Sequence, residues 1–230
     1  MTAKAVRRRL QPAERRTIIL DEALRLFAER HYAMVTVRDI ALTCDINVGL
    51  IYHYFDNKDH LVRCALEHAI EQLVAGYEER RIALDDPRAE ILAWLETHVT
   101  ITPTLTRMVK LMADYASSDI RDAELDAVIA GFYEGEKTVL ESALQKGVDS
   151  GRFMAIDVPR TARRIGLMLD GIFHASASRG DDRIVADIQD LVDFLDVMLG
   201  LRAPAVCEAS APESGPRICP FPRPPFDEKA

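Results

Sequence analysis

The stretch of this 230-residue chain with the most chemistry-bearing side chains is INVGLIYHYFDNKDHL, residues 46–61. It holds two tyrosines, two histidines, a phenylalanine and a lysine. A buried core segment rarely carries so many polar tips, and polar residues normally dominate a solvated face. Tyrosine hydroxyls, lysine ammonium groups and helix N-termini are groups that position phosphates. The stretch therefore predicts a surface that contacts another molecule.

The elements that must position this surface begin with two helices. Apolar spacing predicts a first helix over residues 12–30, with Ile19, Ala23, Leu26 and Phe27 on one side. The second is short, from Thr36 to about residue 43. Its Thr-x-x-Asp start is a capping-box pattern, in which the hydroxyl and the carboxylate satisfy free backbone N–H groups.

A third and a fourth helix follow closely. Asn47 is a good cap for a third helix ending near Tyr54, and we expect Asp56 to cap a fourth helix that continues to about residue 81. A supporting helix followed by two short helices and a tight turn is the helix-turn-helix arrangement. In that arrangement the second short helix enters a DNA major groove.

Helix geometry divides this third helix into an outer and an inner face. Leu50, Ile51, Tyr54 and Phe55 are predicted to pack inward, although Tyr54 could also contact phosphate. Glycine inside a short helix costs about 1 kcal/mol relative to alanine, so Gly49 indicates close backbone approach to a partner. The predicted DNA-contacting residues are Arg7, Arg8, Arg9, Thr36, Asn47, Val48, Gly49, Tyr52, His53 and Lys58.

The charge distribution agrees with a small anion-binding head on an acidic body. Residues 1–68 carry 11 Lys and Arg against 9 Asp and Glu, whereas residues 69–230 carry 18 against 28. We expect residues 1–14 to form a basic arm that adds salt-dependent affinity and enters a minor groove. The alternative is a charged terminus that is disordered and has no function.

Residues 15–61 resemble the DNA-binding domain of the TetR family of transcriptional regulators. The matching features are Ala23, Leu26-Phe27, Tyr32, Thr36-Val37, Asp39-Ile40-Ala41, Gly49, Ile51-Tyr52, Tyr54-Phe55, Lys58 and Leu61. The resemblance implies an all-α protein with a larger C-terminal domain that dimerises through its last two helices and encloses a small-molecule pocket. Where the family usually has glycine, this chain has His31 and Asp45, and we expect a left-handed backbone at both positions.

The region from residue 62 to 202 is predicted to be the helical regulatory and dimerisation domain. Helices are expected over about 87–100, 103–117, 122–150, 159–178 and 182–201, the last capped by Asp182. The motif GLMLDGIFHASA, residues 166–177, is similar to BetI-like C-terminal domains. The predicted dimer interface comprises Ile165, Met168, Ile172, Phe173, Ile184, Ile188, Leu191, Leu195 and Met198, which could instead form the core of a monomer.

Rings, thioethers and a few polar tips in this domain suit a mostly apolar ligand, unless they are ordinary core. The candidate pocket residues are Trp94, His98, Met108, Met112, Tyr115, Phe132, Tyr133, Met168 and His174. An enzyme using Asp170 and His174 as an acid–base pair is an alternative, but no nucleophile, glycine-rich loop or metal constellation accompanies them. A ligand-independent DNA-binding or interaction module is another.

Other classes of protein find little support in the sequence. There is no apolar run of membrane-spanning length and no secretory signal, so we expect a cytoplasmic protein. The partners expected from the resemblance are operator DNA, a small effector and a second copy of the chain. The four cysteines form no CxxC pair, which favours free thiols over a zinc site, although a redox pair is possible. No cofactor motif is present. The proline-rich residues 203–230 are predicted to be disordered, or to act as a docking peptide.

Overall fold

The computed structural model describes residues 11–81 and 85–202, and within them the chain forms helices and no strand. The helices are α1 (Pro12–Glu29), α2 (Val37–Thr43), α3 (Val48–Tyr54), α4 (Lys58–Arg81), α5 (Pro87–Thr100), α6 (Thr102–Ser117), α7 (Ala123–Asp149), α8 (Val158–Arg179) and α9 (Ile184–Met198). Short 3₁₀ turns occupy Tyr32–Met34 and Asp181–Arg183. The all-α class and the order of the helices confirm the prediction from apolar spacing.

The N-terminal head is a three-helix unit built on α1. This helix buries one continuous side, made by Ile19, Leu20, Ala23, Leu24, Leu26 and Phe27. From α3 and the residue after it, Ile51 and Phe55 enter the same core, each about 1% exposed. Leu50 and Tyr54 are only partly buried, so the predicted inner face of α3 is narrower than expected. This packing leaves the other side of α3 outside the core.

The turn between α2 and α3 needs a left-handed residue, and the chain supplies Asp45 with φ 52°. The N–H of Ile46 donates to the carbonyl of Ala41 at 3.0 Å, and that of Asp45 donates to Leu42 at 3.1 Å. These two bonds form a Schellman motif, which satisfies the last carbonyls of α2. Aspartate tolerates this conformation better than most residues, so the turn forms without the usual glycine.

Three local predictions were wrong. His31 has φ −14° rather than a left-handed backbone, because the chain goes directly into a 3₁₀ turn there. Helix α4 begins at Lys58, and the cap is the side chain of Asn57, whose Oδ1 accepts from the N–H of His60 at 2.8 Å, rather than Asp56. Asp182 lies inside a 3₁₀ turn, so α9 begins at Ile184 without a side-chain cap.

The body is a bundle of α5 to α9 packed on the C-terminal part of α4. Helix α4 runs as one element through the predicted domain boundary after residue 61 and contacts α1, α5, α6 and α7. A bidentate ion pair joins α5 to α9, with Arg88 Nε 2.7 Å from Asp196 Oδ1 and Nη2 2.8 Å from Oδ2. No helix in the described ranges has the length and apolarity needed to cross a bilayer.

The predicted dimer face is largely used inside the single chain. Six of its residues are at most about 5% exposed, because α8 and α9 turn them toward α5, α6 and α7: Ile165, Phe173, Ile184, Ile188, Leu191 and Leu195. Ile172 and Met198 are partly buried, and Met168 is 38% exposed. The apolar side chains that α8 and α9 expose are instead Leu167, Met168, Val185 and Phe194. One side of the wide apolar face of α9 is therefore buried in the monomer core, and the other side is exposed to solvent.

Candidate nucleic-acid interface and effector cavity

Helix α3 presents a polar and aromatic face to solvent. Tyr52 is 54% exposed, and Gly49 and His53 are also exposed. The His53 ring contacts Tyr54 edge-on, with 5.4 Å between ring centroids. Val48, predicted on the same face, is half-buried against the core. The outer face is thus centred on Gly49, Tyr52 and His53.

The start of α3 is held by its cap. Asn47 Oδ1 accepts a hydrogen bond from the N–H of Gly49 at 2.7 Å. A Cβ built on Gly49 would meet that same oxygen at 3.2 Å and no other neighbour that close within the described chain. Apart from this cap oxygen, the described chain leaves the space over Gly49 open.

Thr36 starts α2 as predicted. Its N–H and its hydroxyl both donate to Asp39 Oδ2, at 2.8 Å and 2.6 Å, and the Asp39 N–H donates back to Thr36 Oγ1 at 3.2 Å. These hydrogen bonds with Thr36 lower the pKa of the Asp39 carboxyl. The Thr36 side chain is exposed, but its hydroxyl is engaged in the cap.

Lys58 has different partners from the phosphate predicted for it. Its Nζ donates to the backbone carbonyl of Tyr32 at 2.7 Å and lies 4.6 Å from the centroid of the Tyr32 ring. Burial lowers the pKa of the ammonium group. The side chain therefore ties the first turn of α4 to the chain segment between α1 and α2.

Sequence reasoning missed Arg38. Its side chain is exposed on α2 and lines, with Asn47 and Val48, a concavity of about 220 Å³ between α2 and α3. The signal was available, since an exposed arginine one turn before a helix-turn-helix turn lies beside the groove-facing helix. The predicted arm residues Arg7, Arg8 and Arg9 and the tail 203–230 fall outside the described residues.

The body contains two adjoining cavities. The first has a volume of about 650 Å³ between α6, α7 and α8, and the second a volume of about 680 Å³ between α7 and α8. Tyr133 and Asp170 line both. Volumes of this size accommodate a small organic ligand.

The structure separates the predicted pocket residues into two groups. Four line the first cavity: Met112, Tyr115, Tyr133 and His174. Four others, Trp94, His98, Met108 and Phe132, are buried at 8% exposure or less and do not line either of these two cavities. Met168 lies in a separate groove between α8 and α9. Asp170 and His174 face the first cavity together, without a serine or cysteine among its lining residues.

A chain of contacts joins this cavity to the head. The Tyr115 ring, in the cavity wall, meets the Tyr32 ring edge-on with 6.5 Å between centroids. Next to it, the carboxylate of Asp114 accepts from the Tyr32 N–H at 2.5 Å and lies 2.6 Å from His31 Nε2. The Tyr32 hydroxyl donates to Asp59 on α4 at 3.0 Å. Tyr32 is therefore in contact with α6 and with the helix that follows α3.

Comparisons with known proteins agree with this arrangement. Residues 19–64 match the family model of bacterial regulatory proteins, tetR family. The HTH-type transcriptional regulator BetI of Burkholderia ambifaria (strain MC40-6) is 29% identical over 112 residues, which are 48% of this chain and 58% of that protein. The HTH-type transcriptional repressor KstR2 of Rhodococcus jostii (strain RHA1) is 41% identical over 83 residues, 36% of this chain and 41% of that protein. The chain thus spans about half the length of the curated relatives it matches.

Solved structures are similar over most of the chain. A TetR transcription regulator from Haloarcula marismortui has a TM-score of 0.70 at 19% identity, covering 81% of this chain and 99% of that one. The TetR family transcriptional regulator PfmR from Thermus thermophilus has a TM-score of 0.64 at 23% identity, covering 79% and 97%. At these identities the likeness establishes the fold.

The matched residues identify the head as a helix-turn-helix domain of the TetR-family type, in agreement with the resemblance of residues 15–61. The proteins to which longer parts of the chain are similar are HTH-type and TetR regulators, and they share its helical fold.

Proposed function

We propose that the protein is a homodimeric repressor that binds operator DNA through α3 and is released by a small molecule bound in the body. The observation that carries the proposal concerns α3, which packs into the core of the helix-turn-helix through Ile51. Its opposite face, with Gly49, Tyr52 and His53, is exposed. Tyrosine and histidine can contact bases or phosphates, and the bare Gly49 backbone permits close approach. Arg38, exposed beside the same helix, adds a positive charge for the phosphate backbone.

Dimerisation is proposed to use the groove between α8 and α9 rather than the buried side of these helices. Met168, Ile172 and Ala175 from α8 and Phe194 from α9 line this groove, whose volume is about 390 Å³. Phe194 is 46% exposed, which is unusual for a phenylalanine of a monomer. A two-fold axis across two such grooves would seat apolar side chains of each copy against the other and give two heads for successive major grooves.

The ligand response is proposed to pass through Tyr32. A ligand between α6 and α8 contacts the wall made by Tyr115, which meets Tyr32 directly. Tyr32 is bonded to Asp114 on α6 and to Lys58 and Asp59 at the start of α4. A shift of α6 therefore moves the segment between α1 and α2 and the first turn of α4, which flank α2 and α3. The size of the response is limited by the difference in ligand affinity between the two poses.

The test is enrichment of fragmented genomic DNA of the source organism on the purified full chain, followed by sequencing. We expect an inverted repeat whose half-site centres are about 10–10.5 base pairs apart, or a multiple of that distance. Beads without protein are the control. Enrichment no better than the control, or a consensus without two-fold symmetry, would refute a dimeric operator-binding protein.

A further inference from the structure

A carboxylate is buried between α7 and α8 without a cationic partner. Glu136 is 7% exposed, and its Oε1 lies against the bare backbone of Gly166, where an added Cβ would approach to 2.6 Å. Its Oε2 lies 3.9 Å from His98 Nε2, but burial holds the pKa of that imidazole at about 4, so the ring is neutral near pH 7. The indole N–H of Trp94 faces Glu136 and lowers the pKa of its carboxyl in part, but its geometry falls short of a full hydrogen bond.

A second acidic group stands close by on α8. Asp170 is half-buried, and the nearby Tyr133 side chain lines the same two cavities. Burial raises the pKa of Asp170, although His174 lowers it in part. Burial, and then repulsion from Asp170, raise the pKa of Glu136 to about 7. The two carboxyls thus share one electrostatic environment, and Asp170 lines both cavities while Glu136 lines the second.

The cations around these cavities are directed elsewhere. Those that line them are Arg121, Lys137, Arg160 and Arg163. Lys137 pairs with Glu134 at 2.9 Å, and Arg121 Nη1 donates to backbone carbonyls at 2.7 Å. Arg160 and Arg163 are exposed at the outer rim. None of the four contributes to the shifted pKa values of Glu136 or Asp170.

A buried carboxylate without a partner is unfavourable, and an opposite charge within about 4–6 Å favours its ionised form. Most of the remaining wall of the first cavity is apolar, with Val109, Met112 and Ile129 in it. Its other polar groups include Arg121, Asp126 and His174. Tyr133 adds an aromatic face at the shared wall, and such faces attract cations. The combination of two acidic groups, a ring and apolar walls suits a molecule with a positive head and an apolar body.

We propose that this site binds an organic cation, with its ammonium group between Glu136 and Asp170 and its apolar part along α6 and α7. That such a cation acts as the effector rests on the proposed function; the binding site itself does not. The carboxyl of Glu136 is about half protonated at pH 7, and an ammonium beside it favours the ionised form, so binding near that pH releases part of a proton to the buffer.

The test uses hexylammonium, 1-hexanol and hexanoate, which share a chain length and differ in head charge. Trp94 is the single tryptophan of the chain and faces Glu136, so its emission reports on the site. Titration of the full chain at pH 7.5 is expected to give at least tenfold tighter binding of hexylammonium than of hexanol, and none of hexanoate. Calorimetry in two buffers of different ionisation enthalpy is expected to show proton release for hexylammonium alone.

Glu136→Gln and Asp170→Asn, made separately, are expected to bring the affinities for hexylammonium and hexanol within about twofold of each other. Asp149→Asn, an exposed carboxylate at the C-terminal end of α7 that lines neither cavity, is the control and should keep the preference. Circular dichroism confirms that each variant is folded. Equal affinity for the two probes in the wild type, or a preference that survives both substitutions, would overturn the cation site. If the charge preference is absent but DNA is still enriched, the cation site is refuted and the regulator proposal stands. If the charge preference is present but no DNA is enriched, the regulator proposal is refuted and the cation site stands.

Discussion

Asp114 on α6 accepts a hydrogen bond from the backbone N–H of Tyr32 at 2.5 Å, across 82 positions of the chain. The same carboxylate lies 2.6 Å from His31 Nε2, so one side chain of the body holds the segment where α1 turns toward α2. Tyr115, the next residue, lines the first cavity, so this bond lies between that cavity and the head. His31 occupies the position where the family usually has glycine, and here it supplies a second contact to α6.

Asp114→Ala should therefore destabilise the protein. Hydrogen bonds to charged groups are worth about 1.5–3 kcal/mol, and we expect a loss of this order in urea unfolding. Asp119→Ala, at an exposed position just after α6, is the control and should stay within about 0.5 kcal/mol of the wild type. A variant of Asp114 as stable as the control would show that this link does not hold the head.

Lys58 and Arg38 should differ in their effects on DNA binding. Arg38→Ala is expected to reduce the slope of log affinity against log salt by about one, because its exposed charge is free to neutralise a phosphate. Lys58→Ala is expected to lower thermal stability and leave that slope unchanged, since its ammonium is bonded to the Tyr32 carbonyl. If Lys58→Ala flattens the slope while stability is unaffected, Lys58 is a phosphate contact, as its position in the sequence suggested.

The buried carboxyl of Glu136 should give a pH-dependent stability difference. Its pKa is raised from 4.5 to about 7 in the folded chain, so the folded state binds more protons than the unfolded state between these pH values. Stability is therefore lost through this group as pH rises from about 4.5 to 7. Glu136→Gln removes the loss, and its stability relative to the wild type should increase over that range by at most about 3 kcal/mol.

His98 acts in the opposite direction, which is why the comparison must be with the wild type. Its folded pKa of about 4 lies below the ordinary 6.5, so its contribution is lost as pH falls through that interval. In Glu136→Gln this dependence is no longer opposed by Glu136, so absolute stability should fall more steeply than in the wild type on acidification below about pH 6.5. Tyr133 and Asp170 also face Glu136 and can titrate with it. The control is Glu134→Gln, whose profile of stability against pH should match that of the wild type. A flat difference between Glu136→Gln and wild type across pH 5–8 would contradict the assigned burial.

Phe194→Asp should convert dimers into folded monomers in sedimentation, because the ring lies in the exposed groove between α8 and α9. Ile120→Asp, an equally exposed apolar position (43%) away from the groove, should stay dimeric. Leu195→Asp should instead unfold the chain, since that side chain is 3% exposed. Dimers that persist in Phe194→Asp would place the interface on another surface.

The sequence predicted the helices and the exposed face of α3 well because both depend on local patterns. Apolar spacing, the Thr36–Asp39 capping box and Asn47 act within one or two turns of helix. Long-range contacts were not predicted: the Lys58 ammonium donates to a carbonyl that is 26 residues earlier, and the Asp114–Tyr32 bond spans 82. Period alone also could not tell which side of the wide α9 face packs in the monomer core, where Leu195 is 3% exposed.

The measurement that tests the central claim most directly is fluorescence anisotropy of the full chain on a genomic DNA fragment that it enriches. The substitutions to compare are Tyr52→Ala and His53→Ala, with Val74→Ala as an exposed control on α4, away from the helix-turn-helix. We expect each of the first two to weaken binding by about 1–3 kcal/mol while the control binds as the wild type does, with melting temperatures of all variants close together. Unchanged affinity in both α3 variants would mean that this face does not read DNA.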